Sequence, residues 1–355
     1  MTERTPSPER EGNSPADRPL ALTMGDPGGI GLDITLASWA RRETLGVPPF
    51  MLYADPEAMA QRAQALGITA ALRQMEPLDD VASVFRSALP VRAITLPAPV
   101  VAGQPDAANA SAVIASIEQA VEDVVAGLAS AVVTNPIAKS VLYSVGFVHS
   151  GHTEFLAALA QRHQPGKTWF PVMMLASDVL RVVPLTVHIP LAAVPGALTR
   201  DRMLTTSRIV YEALRRDFGI TRPRIAVAGL NPHAGEDGTI GREDADIIAP
   251  AIAELRAEGM IITGPISADS LFHAAARARY DAAIAMYHDQ ALIPIKTLAF
   301  ETGVNATLGL PFVRTSPDHG TAFDIAGSGE ASPLSLVAAL KLAQTMARRR
   351  ADHDA

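Results

Sequence analysis

Three histidines each follow an apolar, strand-like run: PLTVH ends at His188, IAVAGLNPH at His233 and AAIAMYH at His288. If the three runs are neighbouring strands, their ends converge at the carboxyl edge of a sheet, where open α/β folds bind ligands. Three neutral imidazoles that leave coordination positions open for substrate make a catalytic site for a divalent metal. Their separations match no local zinc signature, and a lone histidine after a strand is usually a hydrogen-bonding loop residue, so both readings stand at this point. A second concentration of chemistry lies between Tyr287 and Gly329. It holds His288, Asp289, Lys296, Asn305, Arg314, Asp318, His319 and Asp324 among the glycines Gly303, Gly309, Gly320, Gly327 and Gly329. The apolar runs between them, 291–295 and 308–313, are short for helices. They read as buried strands that present polar groups at their ends. Donors and cations beside glycines that admit close backbone approach describe a surface for an anionic ligand.

The elements needed to position these groups alternate between strand and helix. Leu20–Met24 reads as a strand, followed by the tight loop Gly25-Asp26-Pro27-Gly28-Gly29-Ile30-Gly31 and a helix over 34–42. That loop is neither GxGxxG nor a Walker loop, and as a bare motif it is either a turn or an anion cradle. Strand 50–53 and helix 56–66 repeat the theme, 68–108 is a poorly periodic excursion containing strand, and 110–128 is a clear amphipathic helix. A strand at 131–134 delivers Thr134-Asn135-Pro136 ahead of a helix containing Lys139. Ser150-Gly151-His152-Thr153-Glu154 caps the next helix, with His152 and Thr153 where backbone N–H groups and the dipole favour an anion. Runs 172–176 and 180–187 form a hairpin turning at Ser177-Asp178. Helices are expected at 199–218, 243–258, 269–278 and 333–349, and strands at 224–228 and 282–286. His149, His163, His273 and His353 read as solvated or capping residues, whereas His152 and His319 sit in Gly-flanked polar clusters. The alternation makes this an α/β protein with a largely parallel sheet.

Composition narrows the function classes. The 355 residues, 48% of them hydrophobic, suffice for a large core and two lobes. A formal charge of −7 argues against a general nucleic-acid binder. The absence of cysteine removes disulfides, thiolate nucleophiles and Cys-based metal sites, and is compatible with a cytoplasmic location. Residues 1–18 are polar, Pro-rich and without the apolar core of a signal peptide, so they read as a disordered tail before a catalytic unit over 19–355. No apolar run is long enough to span a bilayer.

The segments MGDPGGIG (24–31), GHTEFLA (151–157), HIPL (188–191), GLNPHAGEDG (229–238), YHDQALIPIK (287–296) and GVNATLGLPFVRTSPDHGTAFDIAG (303–327) resemble the 4-hydroxythreonine-4-phosphate dehydrogenase family of pyridoxal phosphate biosynthesis. The resemblance runs from about Leu20 to Ala343. It implies two α/β/α lobes of the isocitrate/isopropylmalate dehydrogenase-like type with a cleft between them. One lobe, from the N-terminal part plus roughly 290–350, would bind NAD, and the middle of the chain would form the dimerising lobe. Carried over position by position, the family's metal ligands fall on His188, His233 and His288, at a homodimer interface where the third histidine comes from the partner chain. Substrate-binding positions fall on His152, Thr153, Lys296, Asn305 and Arg314. The stretch HGTAFDIAG (319–327) is similar to the adenosine-binding loop of isopropylmalate dehydrogenases, which implies cofactor contacts at His319, Gly320, Thr321, Ala322 and Asp324. Gly29 stands where the family more often has Ala, a change that a glycine-rich turn should tolerate.

The implied chemistry is the NAD- or NADP-dependent oxidation of 4-phosphohydroxy-L-threonine at its C3 hydroxyl. Decarboxylation to 3-amino-2-oxopropyl phosphate follows, assisted by one divalent ion per site (zinc, cobalt, magnesium or manganese). Lys296, Asp269 and Asp289 are the candidates for proton transfer. Plainer roles for the two carboxylates are an N-cap (Asp269) and a hydrogen-bond partner to a histidine (Asp289). Two alternatives share most of these residues: a paralogous dehydrogenase for phosphothreonate, phosphoerythronate or a cis-dihydrodiol, and a metal-dependent phosphosugar-binding protein without turnover.

Overall fold

A computed structural model describes residues 18–76, 80–149 and 151–355. The tail expected over 1–18 lies outside the described residues apart from Arg18, as does Ser150 of the expected helix cap. The apolar runs become a sheet of twelve strands among the described residues. These are β1 (Leu20–Thr23), β2 (Phe50–Ala54), β3 (Leu72–Gln74), β4 (Leu89–Ala93), β5 (Val132–Val133) and β6 (Val172–Ala176), then β7 (Arg181–Pro184), β8 (Arg224–Ala228), β9 (Ile261–Ile266), β10 (Ala282–Ala285), β11 (Val304–Leu308) and β12 (Arg314–Pro317). Their spatial order is β3-β4-β2-β1-β5-β12-β11-β6-β7-β10-β8-β9. Strands from β3 across to β12 are mutually parallel, and so are β7, β10, β8 and β9. Between the two blocks the pairs β12–β11, β11–β6 and β6–β7 are antiparallel, so the blocks run in opposite senses.

Helices cover the sheet, which is why central strands such as FMLYA and AAIA are buried along their whole length and show no alternation. The helix Ala110–Val125 packs on β1, and Leu334–Asp354 packs on β12. Arg200–Arg216 starts where the Thr199 hydroxyl accepts from Arg202 N at 3.2 Å. The hairpin at Ser177 forms as expected, closed by Ser177 N donating to Leu180 O at 2.9 Å. No helix among the described residues is long and apolar enough to cross a membrane.

Three expectations are corrected. The run 291–295 is part of the twelve-residue helix His288–Ala299 and not a strand. Ala291 and Ile295, four apart, face the core, while Ile293 is 64% exposed, so the run is one turn of an amphipathic helix. The helix expected over 269–278 divides into a 3₁₀ turn at Ala268–Ser270 and a short helix at Ala274–Arg277. The run 308–313 is likewise only partly strand: β11 ends at Leu308, and Gly309 turns the chain with φ of +79°.

The glycine loop at 25–31 is shaped by backbone packing. A Cβ on Gly28 would lie 2.6 Å from Gln104 O, and one on Gly29 would lie 2.8 Å from Thr321 O. Gly29 is therefore where the 319–327 loop comes against this turn, and the room it leaves is already taken. Arg62, from the helix Pro56–Ala65, is buried beneath the turn and donates to Gly29 O at 3.0 Å and Pro27 O at 3.1 Å. It also forms a buried ion pair with Asp33, whose other oxygen accepts from Gly327 N at 2.6 Å. The N–H groups of Asp26, Gly28, Gly29 and Ile30 all donate within the protein, so the loop is accounted for as a structural turn. Replacing Arg62 by Met should cost about 3–5 kcal/mol, because Asp33 is left as a buried unpaired charge. Urea unfolding of wild type and R62M measures this, and an unchanged midpoint would refute it.

Candidate active site

Arg314 opens β12 and is 3% exposed. The register sets it opposite Thr307 of β11 and Val132 of β5. Its guanidinium donates to Thr307 Oγ1 at 2.9 Å and to Thr134 Oγ1 at 2.6 Å, while Nε has no partner. Burial pushes its pKa down to about 10, so it remains charged at neutral pH. Among the described residues its partners are hydroxyls and none is a carboxylate. A buried cation in that state is costly until an anion joins it.

The helix His152–His163 points its N-terminus into the same cavity, which has a volume of about 500 Å³. Among the described residues no side chain caps that helix at Gly151, so its first-turn N–H groups face the cavity without a side-chain partner from them. His152 is half-buried as a residue, but its Nε2 is buried without a partner. Desolvation, reinforced by the charges of Arg314 and Lys139, holds its pKa well below 6.5 and keeps the ring neutral. Thr153, Asn305, Ser316, His319 and Gly320 complete this side of the cavity. His319 Nδ1 lies 3.1 Å from Gly320 O, while its Nε2 is also buried and unpartnered.

His188 and His288 form the opposite wall. Strands β7, β10 and β8, which precede the three histidines, are adjacent and parallel, so the three chain segments leave the sheet on one edge. The rings of His188 and His288 are 5.7 Å apart, tilted by 46°. His288 Nδ1 bonds Asp289 Oδ1 at 2.7 Å, which leaves Nε2 free. Burial, followed by the charges of Lys139 and His288, lowers the pKa of His188. Gln290 accepts from Met286 N at 2.7 Å and donates to Gly229 O at 2.8 Å, tying together the turns that carry His288 and His233.

His233 does not join this pair within one chain. It opens a run of left-handed residues, His233 to Asp237, with φ of 52° at His233 and 56° at Asp237. Buried Asp244 pins that loop by accepting from Leu230 N at 2.9 Å and Asn231 N at 3.1 Å. His233 is exposed there beside Asp269. The Asp269 carboxylate is held below its usual range by the Ser267 hydroxyl and, more weakly, by His233. Among the described residues no three His, Asp or Glu side chains of one chain converge as a metal set.

The remaining predicted positions sit off the cavity wall. Lys296, in the last turn of its helix, forms an ion pair with Asp318 and donates to Asp318 O at 3.1 Å. Thr321 turns its carbonyl to Ile30 N at 3.0 Å, Ala322 is left-handed at φ of 40°, and Asp324 is exposed in the 3₁₀ turn Phe323–Ile325. The sequence reading gives Thr134 and Lys139 no role in the site, although Thr134-Asn135-Pro136 at a strand end, with Lys139 close behind, is a signal for both. Asp318, by contrast, does fall in the 287–329 concentration.

A profile of the pyridoxal phosphate biosynthetic protein PdxA family matches residues 47–343. A 4-hydroxythreonine-4-phosphate dehydrogenase of Methylorubrum populi is 59% identical over 95% of this chain and 97% of its own length. The crystal structure of a 4-hydroxythreonine-4-phosphate dehydrogenase from Klebsiella pneumoniae superposes with a TM-score of 0.82 at 35% identity, over 93% of this chain and 99% of that one. A terephthalate 1,2-cis-dihydrodiol dehydrogenase from Burkholderia xenovorans superposes less closely, with a TM-score of 0.62 at 29% identity over 92% and 98%.

The neutral His152 has a consequence for stability. Its pKa is lower folded than unfolded, so as pH falls through 6.5 the unfolded chain takes up a proton that the native state refuses. Stability is therefore lost on the acid side and is greatest above that value. Between about pH 7.5 and 5.5 the loss from this group approaches about 1.4 kcal/mol. Urea midpoints of wild type and H152Q at the two pH values measure it, and equal acid sensitivity in both proteins would refute it.

Proposed function

The chain belongs to the pyridoxal phosphate biosynthetic protein PdxA family, and from that premise we propose that it is a cytoplasmic, NAD- or NADP-dependent enzyme that oxidises 4-phosphohydroxy-L-threonine at C3, with decarboxylation to 3-amino-2-oxopropyl phosphate. The observation that carries the reading is Arg314, a buried guanidinium with hydroxyl partners only, in one cavity with the uncapped helix end at His152. That pairing suits a substrate with a phosphate at one end and a carboxylate at the other. A cis-dihydrodiol carries no phosphate, although one derived from terephthalate brings two carboxylates, so turnover of the phosphorylated substrate is what separates the two readings.

The donor set fits a divalent metal. His188 and His288 offer two adjacent imidazoles, and Asp289 fixes the His288 ring so that Nε2 faces outward. His288 lies beside His188 in the same chain, so His233, and not the third histidine in order, would complete the set from a second copy. This makes the working unit a homodimer and brings Asp269 into the site alongside His233. Zinc, cobalt, manganese and magnesium are all candidates for the ion. When bound, such an ion supplies Lewis-acid activation of the C3 hydroxyl. The 319–327 loop fits the nicotinamide cofactor. His319 and Gly320 face the cavity, the unpartnered Nε2 of His319 is free to engage a polar group, and Thr321, Ala322 and Asp324 lead away toward the adenosine end. The NAD-binding lobe is then β1–β5 with β11, β12 and the C-terminal helix, and the dimerising lobe is the middle of the chain.

The chain's own residues divide the work. Arg314, Thr153 and the helix end at His152 bind the anionic groups, and Asn305 orients the substrate between them. Lys296, steered by Asp318, and Asp269 are the groups available to move the C3 proton. Asp289 positions His288 and is not itself required at the reacting carbon.

NADH absorbance should rise on adding 4-phosphohydroxy-L-threonine, fall to background in EDTA, and return with added divalent metal. NAD binding without turnover in every metal state would overturn the mechanism. H188Q and H233Q should each be inactive, yet a refolded equimolar mixture should recover about a quarter of wild-type activity, because half of the randomly paired dimers carry one intact site of two. No recovery from the mixture would refute the shared site.

A further inference from the structure

Lys139 has an unusual position for a lysine. It opens the helix Lys139–Ser144, and its side chain turns into the cavity beside the N-terminus of the helix His152–His163. A Cβ on Gly151 would lie 3.1 Å from both Lys139 Cε and Nζ, so the ammonium occupies the space that glycine leaves. Glu154 Oε2 reaches the same point at 3.6 Å, yet no ion pair forms between the two side chains. The ammonium thus sits against the positive end of a helix dipole, in one cavity with an unneutralised Arg314, an arrangement of like charge that is unfavourable without a counter-ion. His152, with its Nε2 buried and unpartnered, stands at the same spot. Lys139 is close enough to both cavity walls to depress the pKa of His152 on one and of His188 on the other.

We infer that Lys139 is a substrate-binding residue, whose ammonium closes on the phosphate of the substrate at the helix end held open by Gly151. The inference deepens the functional reading above and rests on it for the identity of the substrate. Lys139 acts there as a point charge on a dianion, a job that lysine does without bidentate geometry. Because the phosphate is remote from the reacting C3, the contact contributes to ground state and transition state alike.

The test is calorimetric titration of 4-phosphohydroxy-L-threonine without cofactor into wild type, K139Q and K139R, paired with steady-state kinetics. K139Q should bind on the order of 10- to 100-fold more weakly. KM should rise in step while kcat stays within about 3-fold, as uniform binding requires. K139R keeps the charge and should recover most of the loss, which a merely structural role would not predict. Inorganic phosphate serves as a second probe, because it should raise the melting temperature of wild type more than that of K139Q. Equal affinities of wild type and K139Q for both ligands would overturn the assignment. If wild type neither binds nor oxidises the substrate, the functional reading fails, and the phosphate titration still decides Lys139.

Discussion

A positive charge buried without a negative partner is the constraint around which this molecule is arranged. Arg314 is held by two threonine hydroxyls from flanking strands, and this fixes what surrounds it. β5 stays beside β12 as far as Thr134, whose N–H donates to Thr315 O at 3.1 Å, and this brings its hydroxyl to the guanidinium. β11 must pair antiparallel so that Thr307 meets it from the other side. His152 is kept neutral by desolvation, reinforced by the same charge. Hydroxyls keep the cation hydrogen-bonded without cancelling its charge, whereas a carboxylate would have satisfied it and closed the site to anions. The ligand-free protein therefore carries an electrostatic deficit, and any anion that fills it also stabilises the fold by mass action.

The loop expected to hold the cofactor is not free-standing. Asp33 divides its two oxygens between Arg62 and Gly327 N, while Arg62 gathers the carbonyls of Pro27 and Gly29. The glycine turn after β1 and the loop after β12, nearly three hundred residues apart in sequence, are consequently one packed object. A glycine motif that looked like an anion cradle serves as the floor on which another loop rests.

Periodicity made the strand–helix alternation legible, and the apolar runs before His188, His233 and His288 do lie in adjacent parallel strands. The 291–295 run reads as a strand although it is helix, because five residues cannot distinguish a strand from a little over one turn of helix. Only the burial of Ala291 and Ile295 against exposed Ile293 separates the two. The chain direction after β8 was also out of reach: five successive left-handed residues have no reliable sequence signature when only one of them is glycine. Lys139 was visible as a lysine in a helix, but its role depends on the missing side chain of Gly151, twelve residues on. Pairings of that kind are set by tertiary approach and leave no trace in spacing.

The reversal of direction in the middle of the sheet concerns how the protein is made. β11 and β12, the central strands, are the last two in the chain, and they fill the gap between β5 and β6. A chain synthesised only as far as the helix after β10 holds most of both parallel blocks but exposes a bare edge on each, with the histidine-bearing turns already made and Arg314 not yet made. Such edges are templates for wrong partners. The same two strands that complete the anion site also seal the sheet, so a nascent chain is most prone to misassembly in the interval before its chemistry becomes possible.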